Sequence, residues 1–314
     1  MKKVYLNHDG GVDDLVGLLL LLKMQDIELI GVGVTPADCY LQPAVDATRK
    51  ILHIFGATGC EVAASCARGK NPFPKSWRQH AFYVDALPIL NERAEVHTPI
   101  ASVPAHEHLA HMLRQSDGKV TVVFTGPLTD LAAALTIDPD LAECIEELVW
   151  MGGCLDGDGN VHEPGFDGTA EWNAFWDPDA VSRVWQSDIP IVMFPLEATR
   201  NVPVTRSILR SWAQLRSCSR EMEFVGQCYA ICAPFCEFGP DTVYYFWDVL
   251  TVAYVGRPSL VELTPVQCIV HTDGPSEGRI AESTYGKMVQ VAKAVRADKF
   301  YQYITGVLTS HINV

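Results

Sequence analysis

The stretch KKVYLNHDGGVDDLVGLLLLLKMQDIELIGVGV, residues 2–34, decides the fold. Lys3 to Leu6 is a short strand-like run. It passes into an acidic, glycine-containing turn, Asn7 to Asp14. Apolar residues then crowd the segment Asp14 to Met24, whose length suits a helix. A second apolar run, Leu29 to Val34, follows at once. Strand, loop, helix and strand in that order form a βαβ unit, and strands joined by such a crossover lie parallel.

Working outward, strand candidates recur at Val120 to Phe124, Leu148 to Met151, Pro190 to Phe194 and Gln267 to His271. Helical segments fall between them: Pro43 to Phe55, Ala105 to Gln115, Leu128 to Leu135 and Pro178 to Gln186. This alternation predicts an α/β fold, a mostly parallel central sheet with helices on both faces. No repeat of 20–50 residues and no low-complexity linker divides the chain, so residues 1–314 read as a single domain. The polar stretch Arg68 to Gln79, with its prolines and Trp77, reads as a long surface loop of the kind that often carries function.

Composition narrows the field. Of 314 residues, 48% are hydrophobic and 20% charged, which excludes disorder, collagen and coiled coil. Asp and Glu number 38 against 24 Lys and Arg, a formal net charge of -14. No basic patch is large enough to neutralise a phosphate backbone, so nucleic acid is not an expected partner. The run Leu15 to Leu22 is too short to span a membrane. Residues 1–7 lack the apolar region of a signal peptide. The ten cysteines form no CxxC pair, and Cys228, Cys232 and Cys236 share one helical face as a stripe of small apolar residues. The expectation is a cytoplasmic protein with reduced thiols.

In open α/β sheets, ligands bind beyond the carboxyl ends of the strands. Four segments therefore meet at one rim: Asn7 to Asp14, Thr35 to Asp38, Thr125 to Pro127, and Gly152 with Gly153. Asp9, Asp13 and Asp14 crowd into six residues at a helix start. One Asp suffices to cap a helix, a contribution of about 0.5–2 kcal/mol. Three repel one another unless something positive sits between them, and a hard divalent cation meets that need. The two glycines let the backbone fold tightly around such an ion. A phosphate cradle fits poorly, because the loop is acidic and has no Lys. A phospho-aspartyl hydrolase needs a nucleophilic carboxylate where Asn7 stands, and an amide cannot attack phosphorus.

The loop Asn7-His8-Asp9-Gly10-Gly11-Val12-Asp13-Asp14 resembles the DxDxxxDD motif that opens the nucleoside hydrolase family. Further matching pieces follow in order: Thr125 to Asp130, Met151 to Gly153, Glu171 to Asn173 with Asp177 and Pro178, and Trp247 with Asp248. The resemblance covers most of the chain and implies a Rossmann-like core. Three segments look like the purine-specific, inosine-adenosine-guanosine-preferring branch: Asn71 to Trp77, Asp167 to Asn173, and Tyr244 to Asp248. Pyrimidine-tolerant branches use a histidine in the place of Trp247, and no histidine adjoins Asp248 here.

The resemblance implies calcium held by Asp9, Asp14, the backbone oxygen of Thr125, and Asp248. It makes Asp9 the general base on a metal-bound water that attacks the anomeric carbon. Asp13, Asn160, Glu171 and Asn173 would hydrogen-bond the ribose, and the carboxylates would stabilise an oxocarbenium-like state. Trp77 and Trp247 would sandwich the leaving purine and raise the basicity of N7. Solvent, or a water held by Asp38, would deliver the proton. His8 is assigned no chemistry. Read without the resemblance, Glu171 and Asn173 also suit exposed polar residues at a helix start, Asp38 a surface or cap residue, Asp248 a helix cap beside a core Trp, Asn160 a hairpin turn, Thr125 a plain turn and Trp77 a loop anchor in the core.

Two departures stand out. Asn7 replaces the first Asp of the motif and removes one negative charge. Ser76 stands where the closest branch often has an acidic residue. The leading expectation is a calcium-dependent purine nucleosidase yielding ribose and free base, a homodimer serving purine salvage. The alternatives are a weakened nucleoside- or ribose-binding protein, and a broad or pyrimidine-tolerant nucleoside hydrolase.

Overall fold

A computed structural model describes residues 1–75, 77–92, 95–215, 219–232 and 243–309. Among these residues nine strands build one sheet. They are β1 (Lys2–His8), β2 (Ile27–Val34), β3 (Val62–Ala64), β4 (Val120–Phe124), β5 (Ile145–Met151), β6 (Ile191–Phe194), β7 (Val261–Val270), β8 (Ile280–Glu282) and β9 (Lys287–Val295). Their spatial order is β3-β2-β1-β4-β5-β6-β9-β7-β8. All pairs from β3 through β6 to β9 are parallel, whereas β7 runs antiparallel to both β9 and β8.

The mostly parallel sheet matches the expectation. The segment Gln267 to His271 differs: all but His271 lies in the antiparallel β7, and β9, which the sequence reading passed over, joins β7 to the parallel part. Charged and polar residues alternate through β7 and β9, as they do in strands with one solvated face. That alternation hides them from a search for continuous apolar runs.

Period-two alternation sorts side chains onto the two faces. Val4 and Leu6 of β1 join one core cluster, with Val123 of β4. Tyr5 joins the other, with Val122 and Phe124. The first helix, Val12–Lys23, is buried without a break from Val12 to Leu21. That explains its nearly unbroken apolar sequence, since no face of it meets water.

The chain leaves β1 toward β2 and leaves β4 toward β5, in opposite directions across the sheet. Ligands favour such a topological switch point. The loops after β1 and β4 flank it, and they carry Asp9 and Thr125.

The stretch Arg68 to Gln79 is more ordered than a plain surface loop. Trp77–Gln79 form a turn of 3-10 helix, and Phe73 is buried. Asn71 donates to the carbonyl of Phe175 and to Glu277, both at 2.8 Å. Ser76, Cys218 and Cys236 lie outside the described residues. Cys228 and Cys232 are both buried in the core. No described helix is long and apolar enough to cross a membrane.

Candidate active site

The turn after β1 is shaped by its glycines. Gly10 has a φ of 88°, and a side chain there would come within 2.5 Å of the Ala44 side chain. Gly11 caps the first helix, and its N–H donates to Oδ2 of Asp14 at 2.7 Å. Asp13 and Asp14 consequently occupy the first helical turn, and Asp9 sits at the mouth of β1.

The second contributor is the loop after β4. The N–H of Thr125 donates to the carbonyl of Asn7 at 3.0 Å, which sets the loop beside the end of β1. The Thr125 hydroxyl donates to Oδ1 of Asp14 at 2.5 Å. At Gly126 an added Cβ would lie 2.9 Å from Cγ of Asp9, so glycine alone leaves room for that carboxylate.

The third contributor comes from far along the chain. Trp247 and Asp248 open the helix Trp247–Gly256. The backbone N–H of Asp248 donates to Oδ2 of Asp13 at 3.0 Å, and the Tyr244 hydroxyl donates to Oδ1 of Asp13 at 3.0 Å. Asp38, in the loop after β2, donates its N–H to Oδ2 of Asp9 at 3.0 Å.

A fourth set closes the group. Glu171 caps the short helix Trp172–Trp176, accepting from the N–H groups of Asn173 and Ala174. It accepts as well from Gly153 N–H, at 2.8 Å, which ties that helix to the loop after β5. The Asn173 amide donates to the carbonyls of Thr125 and Met151, at 3.0 and 3.1 Å.

Asp9, Asp13, Asp14, Asp248, Glu171 and Asn173 are all buried, and the proton affinities of the five carboxyl groups show the cost of crowding. Burial raises Asp9 well above the ordinary carboxylate range, and Asp14 beside it adds to the rise. Asp14 is raised by burial and then by Asp13. Asp248 is raised by burial, then by Asp13, Asp14 and Asp9 in turn. Burial raises Asp13 too, against the pull of the donors from Asp248 and Tyr244. Glu171 is pushed up to about 7 by burial.

Buried carboxylates that raise one another's proton affinity form a natural seat for a cation. Asp9, Asp14 and Asp248 offer carboxylate oxygens here, and Thr125 a carbonyl oxygen. Each carboxylate oxygen has lone pairs beyond the hydrogen bond it accepts. The residues present therefore fit a hard divalent ion such as calcium.

The aromatic residues fall into two groups. Trp77 is half-buried and packs edge-on against Trp172, ring centroids 5.4 Å apart, and against Phe73 at 6.3 Å. Trp247 packs edge-on against Tyr244 at 4.7 Å and Tyr245 at 5.7 Å, and it borders Met151, Cys154 and Leu196. Asn160 joins the Trp77 side: its Oδ1 accepts from Trp172 N–H at 3.1 Å and its carbonyl from the indole N–H at 3.2 Å. It fixes that aromatic wall instead of forming a hairpin turn. His8 is buried away from this chemistry, with Nε2 3.1 Å from the Thr48 hydroxyl, and burial pushes its pKa down to about 3.

Sequence reading gave no role to Tyr244, Gly126 or the Met151 carbonyl. Tyr244 lies 231 residues from the carboxylate it touches, and no spacing rule connects them. Among the described residues, Cys154 and Asp156 of the loop after β5 and Glu197 of the helix Leu196–Thr199 bring ligand-type atoms within 4.8 Å of one another. There Glu197 accepts from the N–H groups of Leu155 and Asp156, and Arg200 pairs with Asp156, so the group braces the loop.

The family model described as inosine-uridine preferring nucleoside hydrolase matches residues 4–302. A solved structure of an inosine-uridine preferring nucleoside hydrolase from Bacillus anthracis is 55% identical and superposes with a TM-score of 0.94, covering 99% of this chain and 100% of that one. An inosine-uridine preferring nucleoside hydrolase of Leishmania major is 24% identical over 309 residues, 96% of this chain and 95% of its own. A pyrimidine-specific ribonucleoside hydrolase of Escherichia coli is 27% identical over 219 residues, 66% of this chain and 64% of its own.

Proposed function

The chain belongs to the inosine-uridine preferring nucleoside hydrolase family and is a nucleoside hydrolase, and from that premise we propose a calcium-dependent purine nucleoside N-ribohydrolase. One observation carries the reading: Asp9, Asp13, Asp14, Thr125 and Asp248, drawn from three distant segments, are joined by hydrogen bonds and mutual electrostatics at the switch point of the sheet.

Asp9, Asp14, the Thr125 carbonyl and Asp248 are the residues that would hold calcium. When bound, the ion would neutralise the clustered charge, acidify a water and grip the ribose hydroxyls. Asp9 takes a proton from the attacking water, whose oxygen forms the new bond to the anomeric carbon. The C–N bond breaks as this bond forms, and its electron pair leaves with the base. Asp13, Asn160, Glu171 and Asn173 bind and orient the ribose, and the nearby carboxylates favour the positive charge that develops on the sugar. Trp77 and Trp247 stack on the purine and stabilise its protonation at N7. A water held by Asp38, or bulk solvent, supplies that proton.

The products are ribose and free base, without phosphate. The same reading includes a homodimer, a cytoplasmic location and a role in purine salvage. A panel of inosine, adenosine, guanosine, uridine and cytidine, each with and without a chelator, tests it. Purine turnover that the chelator abolishes and calcium restores is the expected result. Turnover indifferent to the chelator overturns the calcium assignment, and faster uridine cleavage overturns the purine assignment. A broad, pyrimidine-tolerant specificity is the second reading, favoured by the likeness to hydrolases named for both inosine and uridine.

A further inference from the structure

Beneath the acidic loop lies a second buried polar group. Asn7 and Asp130 are both fully buried. The Asn7 amide donates to Oδ2 of Asp130 at 3.2 Å. The Thr35 hydroxyl lies 2.8 Å from Oδ1 of Asn7 and 2.9 Å from Oδ2 of Asp130, and Ser65 donates to Oδ1 of Asp130 at 2.7 Å. Asn7 is in β1, Thr35 follows β2, Ser65 follows β3, and Asp130 is in the first turn of the helix after β4. One carboxylate thus gathers four neighbouring strand ends.

The backbone carries this order upward. Asn7 precedes Asp9 by two residues, and its carbonyl accepts the N–H of Thr125. A side chain at Gly33 would come 2.6 Å from Nδ2 of Asn7, so the amide fills space that glycine leaves. Asp130 receives its three donors from neutral groups, and the Asn7 amide is one of them. An aspartate at position 7 would replace that donor with a second buried carboxylate, and one of the two would have to hold a proton.

We propose that Asn7 and Asp130 form a complementary amide–carboxylate pair that positions Asp9 and Thr125 for hydrolysis. The Asn7 amide meets the buried Asp130 carboxylate as a neutral donor, so the asparagine suits its surroundings in this chain and is not the mark of a lost activity. This inference rests on the nucleoside hydrolase reading. Exchanging amide and carboxylate between the two positions keeps one donor, one acceptor and one charge, and the Thr35 hydroxyl lies within reach of both.

The test is a double-mutant cycle in the full chain: Asn7→Asp, Asp130→Asn and the two together, with kcat and KM for inosine at saturating calcium, and Tm by thermal melting. Each single change should lower kcat about tenfold or more with KM altered less than about threefold, and should lower Tm. The double change should return kcat to within about threefold of the parent and recover most of the Tm. Single changes that leave kcat intact overturn the proposal. So does a double variant that recovers Tm without kcat, which would make the pair structural only, or one no better than the singles. A parent chain inactive on every nucleoside would sink the functional reading instead, and the Tm cycle would still decide whether the exchange is compensating.

Discussion

Asp248 donates its backbone N–H to the carboxylate of Asp13 at 3.0 Å across 235 residues of sequence. This bond joins the starts of two helices, and it brings a fourth carboxylate to a loop that already carries three. Asp13 is also the acceptor for Tyr244, so one side chain organises the late contribution to the site.

Removing that acceptor breaks the bonds that the Asp248 N–H and the Tyr244 hydroxyl make to Asp13. Asp13→Ala should destabilise the protein by about 1–3 kcal/mol, whereas Tyr244→Phe should cost about 1 kcal/mol because Asp13 keeps its bond from Asp248. Urea denaturation of both variants checks the difference. Equal losses would mean that Asp13 does not organise this junction.

Asp9→Asn keeps the shape of the side chain and removes the base. Turnover of inosine should fall by about 10²–10⁴-fold, the range expected for a general base, with a smaller change in KM. Steady-state kinetics at saturating calcium measure it. A variant with parental kcat would assign the base elsewhere.

Acidity and metal should act together on stability. Without a cation, Asp9, Asp13, Asp14, Asp248 and Glu171 all have raised proton affinities. The native state then binds more protons than the unfolded chain, so stability falls as pH rises through and above the ordinary carboxylate range. For Glu171 the loss runs from its ordinary 4.5 to about 7 and amounts to on the order of 3 kcal/mol. Melting curves from pH 4 to 8 in chelator should show this decline, and Glu171→Gln should flatten part of it. Calcium at about 100 times its Kd should add about 2.7 kcal/mol at neutral pH. A chelated protein whose Tm climbs steadily over that window would contradict the raised affinities.

Trp247→Ala removes an aromatic face from the proposed base subsite. Stacking contributes about 1–3 kcal/mol per base, so kcat/KM for inosine should fall about 5- to 150-fold, and for uridine by less. Parallel rate measurements on both nucleosides decide it. An equal loss on both would place Trp247 outside base discrimination.

Residues 2–34 carried the parallel βαβ unit in their order of apolar runs, and the acidic cluster in their composition. Local spacing suffices for both, because a strand and the helix beside it are short-range objects. The antiparallel β7 and β9 were harder to read, since one solvated face breaks their hydrophobic runs.

By itself the sequence determined which chemical groups are available: crowded aspartates at the end of the first strand, a threonine–glycine turn after β4, and a tryptophan–aspartate pair late in the chain. The tertiary structure alone decided who meets whom. It placed Tyr244 and the Asp248 amide on Asp13, turned Asn160 to hold Trp172, and set Asn7 against Asp130. Those partners lie 231, 235, 12 and 123 residues apart, respectively. Hydrogen bonds act over about 3 Å, so their pairing follows from how the sheet and its helices pack, and no local pattern encodes it.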